Sequence, residues 1–212
     1  MQIIDKFLLI KNNIEKASNN TKLIVITKKQ SIDTFQEILN SGHSDFGENK
    51  VQEADLKWSV FIKEKRFIDL HLVGPLQTNK TAQAVRVFSY IHSLDRPKLA
   101  EKLKEEEIKQ DKKLKYFIQV NVAKEPQKSG IDYDGASDFI KYCIIKLELN
   151  IIGLMCLPPV NEKPEKYFRQ LKGLSDLHNL SELSMGMSND YISAIQNGAT
   201  YVRIGSAIFN KN

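Results

Sequence analysis

Short runs of apolar and β-branched residues alternate with longer amphipathic segments along the whole chain. Runs of this length and composition predict buried β-strands. There are eight of them: LIVIT (23–27), DFG (45–47), IDLHLVG (68–74), FSYIHS (88–93), KYFIQVNV (115–122), NIIGLMCL (150–157), ELSMGM (182–187) and TYVRIG (200–205).

The segments between these runs have the spacing of helices with one buried face. After Ser31, the apolar positions 32, 35, 38 and 39 share a face, and Gly42 supplies a stop. The predicted helices are Ser31–Asn40, Lys50–Lys65, Thr78–Val85, Pro97–Gln110, Tyr133–Leu147, Pro164–Asn179 and Asp190–Asn197. Another amphipathic helix, near Ile3–Lys16, precedes the first strand, and we expect it to cover the floor of the fold.

This alternation predicts the fold. Strands that alternate with helices indicate parallel strands joined by right-handed crossovers. Eight such units of about 25 residues favour an α/β fold that closes into a (β/α)8 TIM barrel rather than an open sheet. No linker or change in composition interrupts the pattern, so we expect residues 1–212 to form a single domain.

Composition and charge narrow the classes of function. The chain has 42% hydrophobic and 27% charged residues, a net charge of +5 and a pI near 9.0. Its lysines are interleaved with acidic residues, which argues against a nucleic-acid-binding surface. No stretch has the apolar length of a membrane span, and the N-terminus lacks the apolar core of a signal peptide. Neither nucleic acid nor membrane is an expected partner.

The two cysteines, Cys143 and Cys156, lie in separate apolar runs. They have neither disulfide nor metal-ligand spacing, so no metal site is expected. A reducing, cytoplasmic location follows as the expectation.

The loops after the last two predicted strands carry an anion-binding pattern. Ser184–Asp190 and Arg203–Phe209 both combine glycine with hydroxyl residues at the start of a helix. In a TIM barrel, phosphate groups commonly bind at the loops after strands seven and eight. Ordinary helix caps are the alternative for either loop alone. Together, at this position, they favour a phosphate site.

Lys28, at the end of the first strand, is the candidate reactive residue. Barrel closure makes the first strand a neighbour of the last, which places Lys28 beside the phosphate loops. An amine near another cation, here Arg203, loses proton affinity and can attack an aldehyde. Side-chain alternation alone does not decide between Lys28 and Lys29. A solvated lysine is the plainer alternative.

Two further polar residues lie on the adjoining rim. Asn49, after the second strand, is a candidate to hydrogen-bond a ring oxygen of a ligand. His71 lies within an apolar strand, where a core histidine is as reasonable as a working base. We assign His71 no catalytic role.

Motifs along nearly the whole chain resemble those of the pyridoxal phosphate homeostasis proteins. They include VITKK, FGENKVQEA, HLVGPLQTNK, IHSLDRPKLA, QVNVAKEPQKSGI, GLMCLPP, LSMGMSNDY and GATYVRIGSAIF. The resemblance implies a barrel similar to the N-terminal part of alanine racemase, known as pyridoxal 5'-phosphate (PLP) fold type III. Gln30 and Ser31 depart from the family, which often has a lysine and a proline there.

The resemblance also implies site residues. Lys28 occupies the position of the lysine that holds PLP as a Schiff base, and Arg203 that of the arginine facing the pyridine nitrogen. Gly205 and Ser206 match the phosphate cup, and Ser184, Ser188 and Asn49 are further expected PLP-binding residues. Lys128 matches a lysine often present in the family, and we interpret it as a solvated loop residue.

A non-catalytic PLP carrier is the expected function. A fixed charge on Arg203 disfavours protonation of the pyridine nitrogen, which weakens the ring as an electron sink. Alanine racemases take a second acid/base from another domain, and the chain ends at Asn212, after the eighth unit. The expected partners are PLP and apo forms of PLP-dependent enzymes, and the expected state is a monomer. A weak racemase or decarboxylase, a Schiff-base aldolase and a nucleic-acid-binding module are the alternatives.

Overall fold

Eight parallel strands close into a barrel in the computed structural model, which describes residues 1–64, 67–125 and 127–210. The strands are β1 (Lys22–Ile26), β2 (Asp45–Glu48), β3 (Asp69–Leu72), β4 (Tyr90–Leu94), β5 (Lys115–Asn121), β6 (Ile131–Asp132), β7 (Ile151–Met155), β8 (Glu182–Ser184) and β9 (Tyr201–Ile204). All but β6 belong to the barrel. β9 pairs with β1 and β4 pairs with β5, so the sheet has no free edge there.

Helices surround the barrel in the predicted alternation. They are α1 (Ile3–Ala17), α2 (Gln36–Asn40), α3 (Val51–Lys63), α4 (Thr81–Val87), α5 (Pro97–Gln110), α6 (Ala136–Lys141), α7 (Glu165–Leu177), α8 (Tyr191–Gln196) and α9 (Ser206–Phe209). A π-helical turn, Tyr142–Lys146, extends α6. The predicted TIM barrel and its additional N-terminal helix are therefore confirmed. Lys65, the predicted end of the helix Lys50–Lys65, lies outside the described residues.

Alternation along the strands separates two apolar cores. In β1, Leu23 and Val25 face the helices, whereas Ile24 and Ile26 face the barrel interior. The interior cluster contains aromatic and aliphatic residues from across the barrel: Ile24, Ile26, Tyr90, Phe117, Met155 and Tyr201. This register decides which side chains reach the mouth at the carboxyl ends of the strands.

The N-terminal helix α1 lies in the outer helical layer and does not cover the barrel floor. It packs against α2, α8 and α9, and its buried face consists of Phe7, Ile10 and Ile14. The helix after the last barrel strand has only four residues, Ser206–Phe209. Because that helix is short, α1 fills the place beside β9 and β1 that a full-length eighth helix covers in a regular barrel.

Two further observations complete the fold. β6 pairs with Val120 and Asn121 at the end of β5, outside the barrel, and was not predicted. No helix within the described ranges is long and apolar enough to cross a membrane.

Candidate functional site

Lys28 lies in a tight turn that follows β1 directly. The amide of Thr27 donates to the Gly47 carbonyl at 3.0 Å, so the ladder to β2 extends through Thr27. The Gln30 amide then closes the turn on the Thr27 carbonyl, also at 3.0 Å. The Lys28 side chain is exposed at the mouth.

A buried carboxylate fixes the backbone before Lys28. Glu48, which is fully buried, accepts hydrogen bonds from the Thr27 hydroxyl at 2.7 Å, the Lys57 ammonium at 2.7 Å and the Trp58 indole at 3.1 Å, all at Oε1. Lys57 also donates to the Thr27 carbonyl at 2.7 Å. Charge-assisted hydrogen bonds of this kind are the strong ones. They hold Thr27 from both its side chain and its backbone.

The backbone after Lys28 is fixed as well. The Lys29 amide donates to Glu53 Oε1 at 2.5 Å, and Lys29 has a φ of 59°. A left-handed conformation at a residue other than glycine is uncommon and persists where neighbouring contacts hold it. Lys28 is therefore presented from a turn anchored on both sides.

Alternation now separates the two lysines. Thr27 points to the helix layer, where its hydroxyl meets Glu48, whereas Ile24 and Ile26 point into the barrel. Lys28 continues the parity of Ile24 and Ile26 toward the barrel mouth. Lys29 has a left-handed backbone with a φ of 59°, so the alternation ends before it, and its amide is bonded to Glu53 of α3.

The loops after β8 and β9 meet at the same rim. The Ser206 hydroxyl donates to Ser188 Oγ at 2.9 Å, and the Ala207 amide donates to the same oxygen at 3.2 Å. Gly186 turns the first loop with a φ of +92°, and a Cβ there would lie 2.5 Å from the Ala194 Cβ. Only glycine fits that turn without strain.

Gly205 brings the second loop against the end of β1. A Cβ at Gly205 would lie 3.0 Å from the Ile26 carbonyl oxygen and 3.1 Å from the Ile26 Cβ. The missing side chain thus allows the Ser206 loop to approach the strand two residues before Lys28. The structure brings Lys28, Ser188, Gly205 and Ser206 to one end of the barrel.

Arg203 lies in the barrel interior beneath this rim. It is 5% exposed, and it donates to Ser184 Oγ at 2.6 Å and to the Cys156 carbonyl at 3.0 Å. Burial lowers its pKa to about 10, which leaves it protonated at neutral pH. Ser184, an expected PLP-binding residue, is fully buried beneath the rim. Its hydroxyl accepts the hydrogen bond from Arg203.

Sequence reasoning considered His71 as a core histidine but missed His92 and the hydrogen bonds that join the groups behind Ser184. His92 Nδ1 lies 2.8 Å from Ser184 Oγ, and His92 Nε2 lies 2.9 Å from His71 Nδ1. His71 Nε2 lies 3.3 Å from Asp45 Oδ1. Burial lowers the pKa of both histidines, for His92 well below its usual value. Burial acts to raise the pKa of Asp45, but the opposing interactions, of which the hydrogen bond from His71 is the largest, outweigh it, and the pKa is lowered.

Asn49 lies at the rim, half-buried, directly after β2. A Cβ at Gly74 would lie 2.2 Å from its carbonyl oxygen, so its backbone packs tightly against the loop after β3. Among the described residues its side-chain amide has no hydrogen-bond partner, which leaves it available to a ligand. Lys128 pairs with Glu125 at 2.5 Å, so it is less free than predicted.

Curated relatives match nearly the full chain. A pyridoxal phosphate homeostasis protein from Pasteurella multocida is 34% identical over 99% of this chain and 97% of its own. One from Aquifex aeolicus is 35% identical over 92% of this chain and 89% of its own. The chain belongs to the pyridoxal phosphate homeostasis protein family. The broader family described as alanine racemase, N-terminal domain, matches residues 9–212.

Solved structures agree with this family assignment. PipY from Synechococcus elongatus, solved with PLP bound, superposes with a TM-score of 0.87 at 29% identity, covering 99% of this chain and 100% of that one. Alanine racemase from Clostridium difficile gives a TM-score of 0.74 at 12% identity, where the match spans 98% of this family member but 57% of the racemase. That second likeness shows the shared barrel alone.

Proposed function

We propose that this chain binds PLP at the barrel mouth and serves in PLP homeostasis as a carrier. Lys28 is the amine that joins the cofactor, and Ser188, Gly205 and Ser206 receive its phosphate. Arg203 faces the ring nitrogen. The observation that carries the proposal is the meeting of the anchored Lys28 turn, the Ser188–Ser206 loops and a buried arginine at one end of the barrel, in a relative of a protein solved with PLP bound.

The residues present fit the cofactor. The close approach at Gly205, where a Cβ would lie 3.0 Å from the Ile26 carbonyl oxygen, leaves a side-chain-free cradle beside two serine hydroxyls. Hydroxyl and backbone N–H donors in such a cradle suit a phosphate. Arg203 is a buried cation whose described hydrogen-bond partners are a hydroxyl and a carbonyl, and it has donors to spare for a ring nitrogen.

When bound, PLP supplies an aldehyde that condenses with a primary amine and releases water. The chain's own part is to present Lys28 from a turn whose backbone is hydrogen-bonded on both sides. Glu48 and Lys57 hold Thr27, and Glu53 holds the Lys29 amide. Fixing the backbone on both sides reduces the entropy lost when the amine is positioned.

The carrier role, as opposed to catalysis, is supported by the state of His71. This residue is the second base in the weak-racemase alternative. It is fully buried, and its two ring nitrogens face Asp45 and His92. Burial lowers its pKa, and it has no free nitrogen to offer a substrate at the mouth. Because Arg203 is charged at neutral pH, it further disfavours protonation of the ring nitrogen.

Three further proposals accompany the carrier role. They are delivery of PLP to apo-enzymes, a cytoplasmic location and a single domain over residues 1–212. Both cysteines are free and buried, which suits a reducing compartment.

Borohydride reduction followed by peptide mapping tests the linkage. Reduction converts the bond between amine and cofactor into a stable secondary amine, which marks the peptide that carried PLP. We expect the added mass on Lys28 in the unmodified protein and in Lys29→Ala, which is the matched control because Lys29 is the adjacent exposed lysine. Lys28→Ala should lose the label. A label that stays, or one found on Lys29 or Lys128, rejects the assignment.

Two assays separate the carrier from an enzyme. Hydrogen exchange at the α-carbon of amino acids should not exceed that of free PLP if the chain is a carrier. Reactivation of an apo form of a PLP-dependent enzyme should proceed from the loaded protein and fail from its reduced form. Exchange well above free PLP, abolished in Lys28→Ala, would instead support the weak-enzyme alternative.

A further inference from the structure

A chain of five polar side chains crosses the barrel interior from the start of β2 to Arg203. It runs through Asp45, His71, His92 and Ser184, with successive separations of 3.3, 2.9, 2.8 and 2.6 Å. The three middle members are fully buried, and the Asp45 side chain is 14% exposed. Such a buried polar chain must be hydrogen-bonded at every link, because an unmet link there is costly.

The two ends of the chain determine the direction of every hydrogen bond. An ionised carboxylate only accepts, so His71 carries its proton on Nε2 and accepts at Nδ1. His92 must then donate from Nε2 and accept at Nδ1. Ser184 therefore donates to His92 and accepts from Arg203, which can only donate. With neutral histidines, no other arrangement satisfies all four links.

This arrangement connects the positive charge of Arg203 to the negative charge of the Asp45 carboxylate through three neutral side chains. In every hydrogen bond of the chain the donor lies on the Arg203 side and the acceptor on the Asp45 side. Hydrogen bonds that are aligned in this way strengthen one another. The titratable or charged groups that act on Arg203 besides this chain are Cys156 and Asp190. The guanidinium is thus held by the Ser184 hydroxyl through one terminal nitrogen and by the Cys156 carbonyl through the other.

We propose that Ser184, His92, His71 and Asp45 are positioning residues for Arg203. They fix the orientation of the guanidinium and keep it facing the ring nitrogen of the bound cofactor. This inference rests on the proposed function, since it assigns Arg203 to PLP. It goes beyond that function by making Asp45, near the barrel floor, part of the machinery that sets the state of a cofactor at the mouth.

The first test uses the ligand-free protein. Nuclear magnetic resonance of nitrogen-15-labelled histidine reports which ring nitrogen carries the proton. We expect both His71 and His92 to be neutral Nε2–H tautomers near neutral pH. A charged ring, or an Nδ1–H tautomer at His92, would overturn the proposed direction of the chain. This measurement requires no variant and no bound PLP.

The second test breaks the chain at Ser184. In Ser184→Ala we expect PLP to bind roughly 10-fold more weakly, the factor that follows from losing a hydrogen bond to a charged group. The absorbance of the bound cofactor should also become pH-dependent between about pH 5 and pH 8, because Arg203 no longer holds one orientation. Ser93→Ala is the matched control, since Ser93 is 1% exposed and its hydroxyl has no partner among the described residues.

Asp45→Asn tests the same chain from its far end. An amide at this position no longer supplies the terminal negative charge, so we expect the same spectral change as in Ser184→Ala, with smaller amplitude. An unchanged spectrum and affinity in both variants would reject the positioning role. Borohydride labelling of Lys28 in each variant separates the two proposals, because the label persists if only the positioning role is wrong.

Discussion

Replacing Lys57 by methionine tests how the Lys28 turn is anchored. The substitution removes the ammonium that lies 2.7 Å from Glu48 Oε1 and 2.7 Å from the Thr27 carbonyl. Glu48 is fully buried, and its second carboxylate oxygen has no hydrogen-bond partner among the described residues. A carboxylate left in this setting without its cation typically costs about 3–5 kcal/mol of folding free energy. We expect a loss of that size in Lys57→Met.

Urea unfolding followed by circular dichroism measures this loss. Lys63→Met, at the exposed end of α3, is the control and should change stability by less than about 0.5 kcal/mol. Adding Glu48→Gln to Lys57→Met should recover part of the loss, since a neutral amide has no charge to compensate. A loss below about 1 kcal/mol in Lys57→Met, or no recovery in the double variant, would refute the reasoning. PLP affinity should fall in parallel, because the same contacts hold the turn.

Three other outcomes follow from the structure. Gly153→Ala should be strongly destabilising because its Cβ would lie 1.9 Å from a carbonyl oxygen of β8, whereas Gly173→Ala, with open space in α7, should stabilise by about 0.5–1 kcal/mol in the same unfolding assay. Thiol reagents should label neither Cys143 nor Cys156 in the folded protein at pH 8 and both in urea, since burial raises each thiol pKa to about 12. Stability should fall as pH is lowered through about 6.5, because the folded histidines have lowered pKa values and the unfolded chain takes up the protons. The slope should be smaller in His92→Gln, by at most about 1.4 kcal/mol per pH unit, and an unchanged slope would contradict this.

Strand number and order were predictable, whereas strand ends were not. The run 68–74 predicted a strand, but the ladder of β3 covers only Asp69–Leu72. The run 182–187 likewise shortens to β8, Glu182–Ser184. An apolar run continues into a buried loop without any change in composition, so a strand end depends on the neighbouring strand. The two-residue strand β6 was not predictable either, because it exists only through its pairing with the end of β5.

The meeting of Lys28 with the last two loops at one rim was predictable from barrel closure and from the resemblance to a known family. Barrel closure brings the β1 end to the last two loops, and the motifs supplied Lys28, Arg203 and Gly205. The hydrogen bonds that anchor the Lys28 turn were missed because they come from Glu48 in β2 and Lys57 in α3, which belong to different elements. His92 was missed because nothing in FSYIHS distinguishes a histidine that faces the barrel interior from one that faces the helix layer.

The polar chain inside the barrel is hard to explain by stability alone. Barrels of this fold are normally filled by branched apolar side chains, which need no hydrogen bonds. Burying a charged arginine and two histidines costs free energy that their hydrogen bonds at best offset, and an apolar replacement is often as stable or more so. Arg203, Ser184, His92 and His71 nevertheless fill adjacent interior positions with every link made. Because the fold itself has no need of this arrangement, we attribute it to the proposed cofactor site, in which Arg203 is the member that the chain of hydrogen bonds holds.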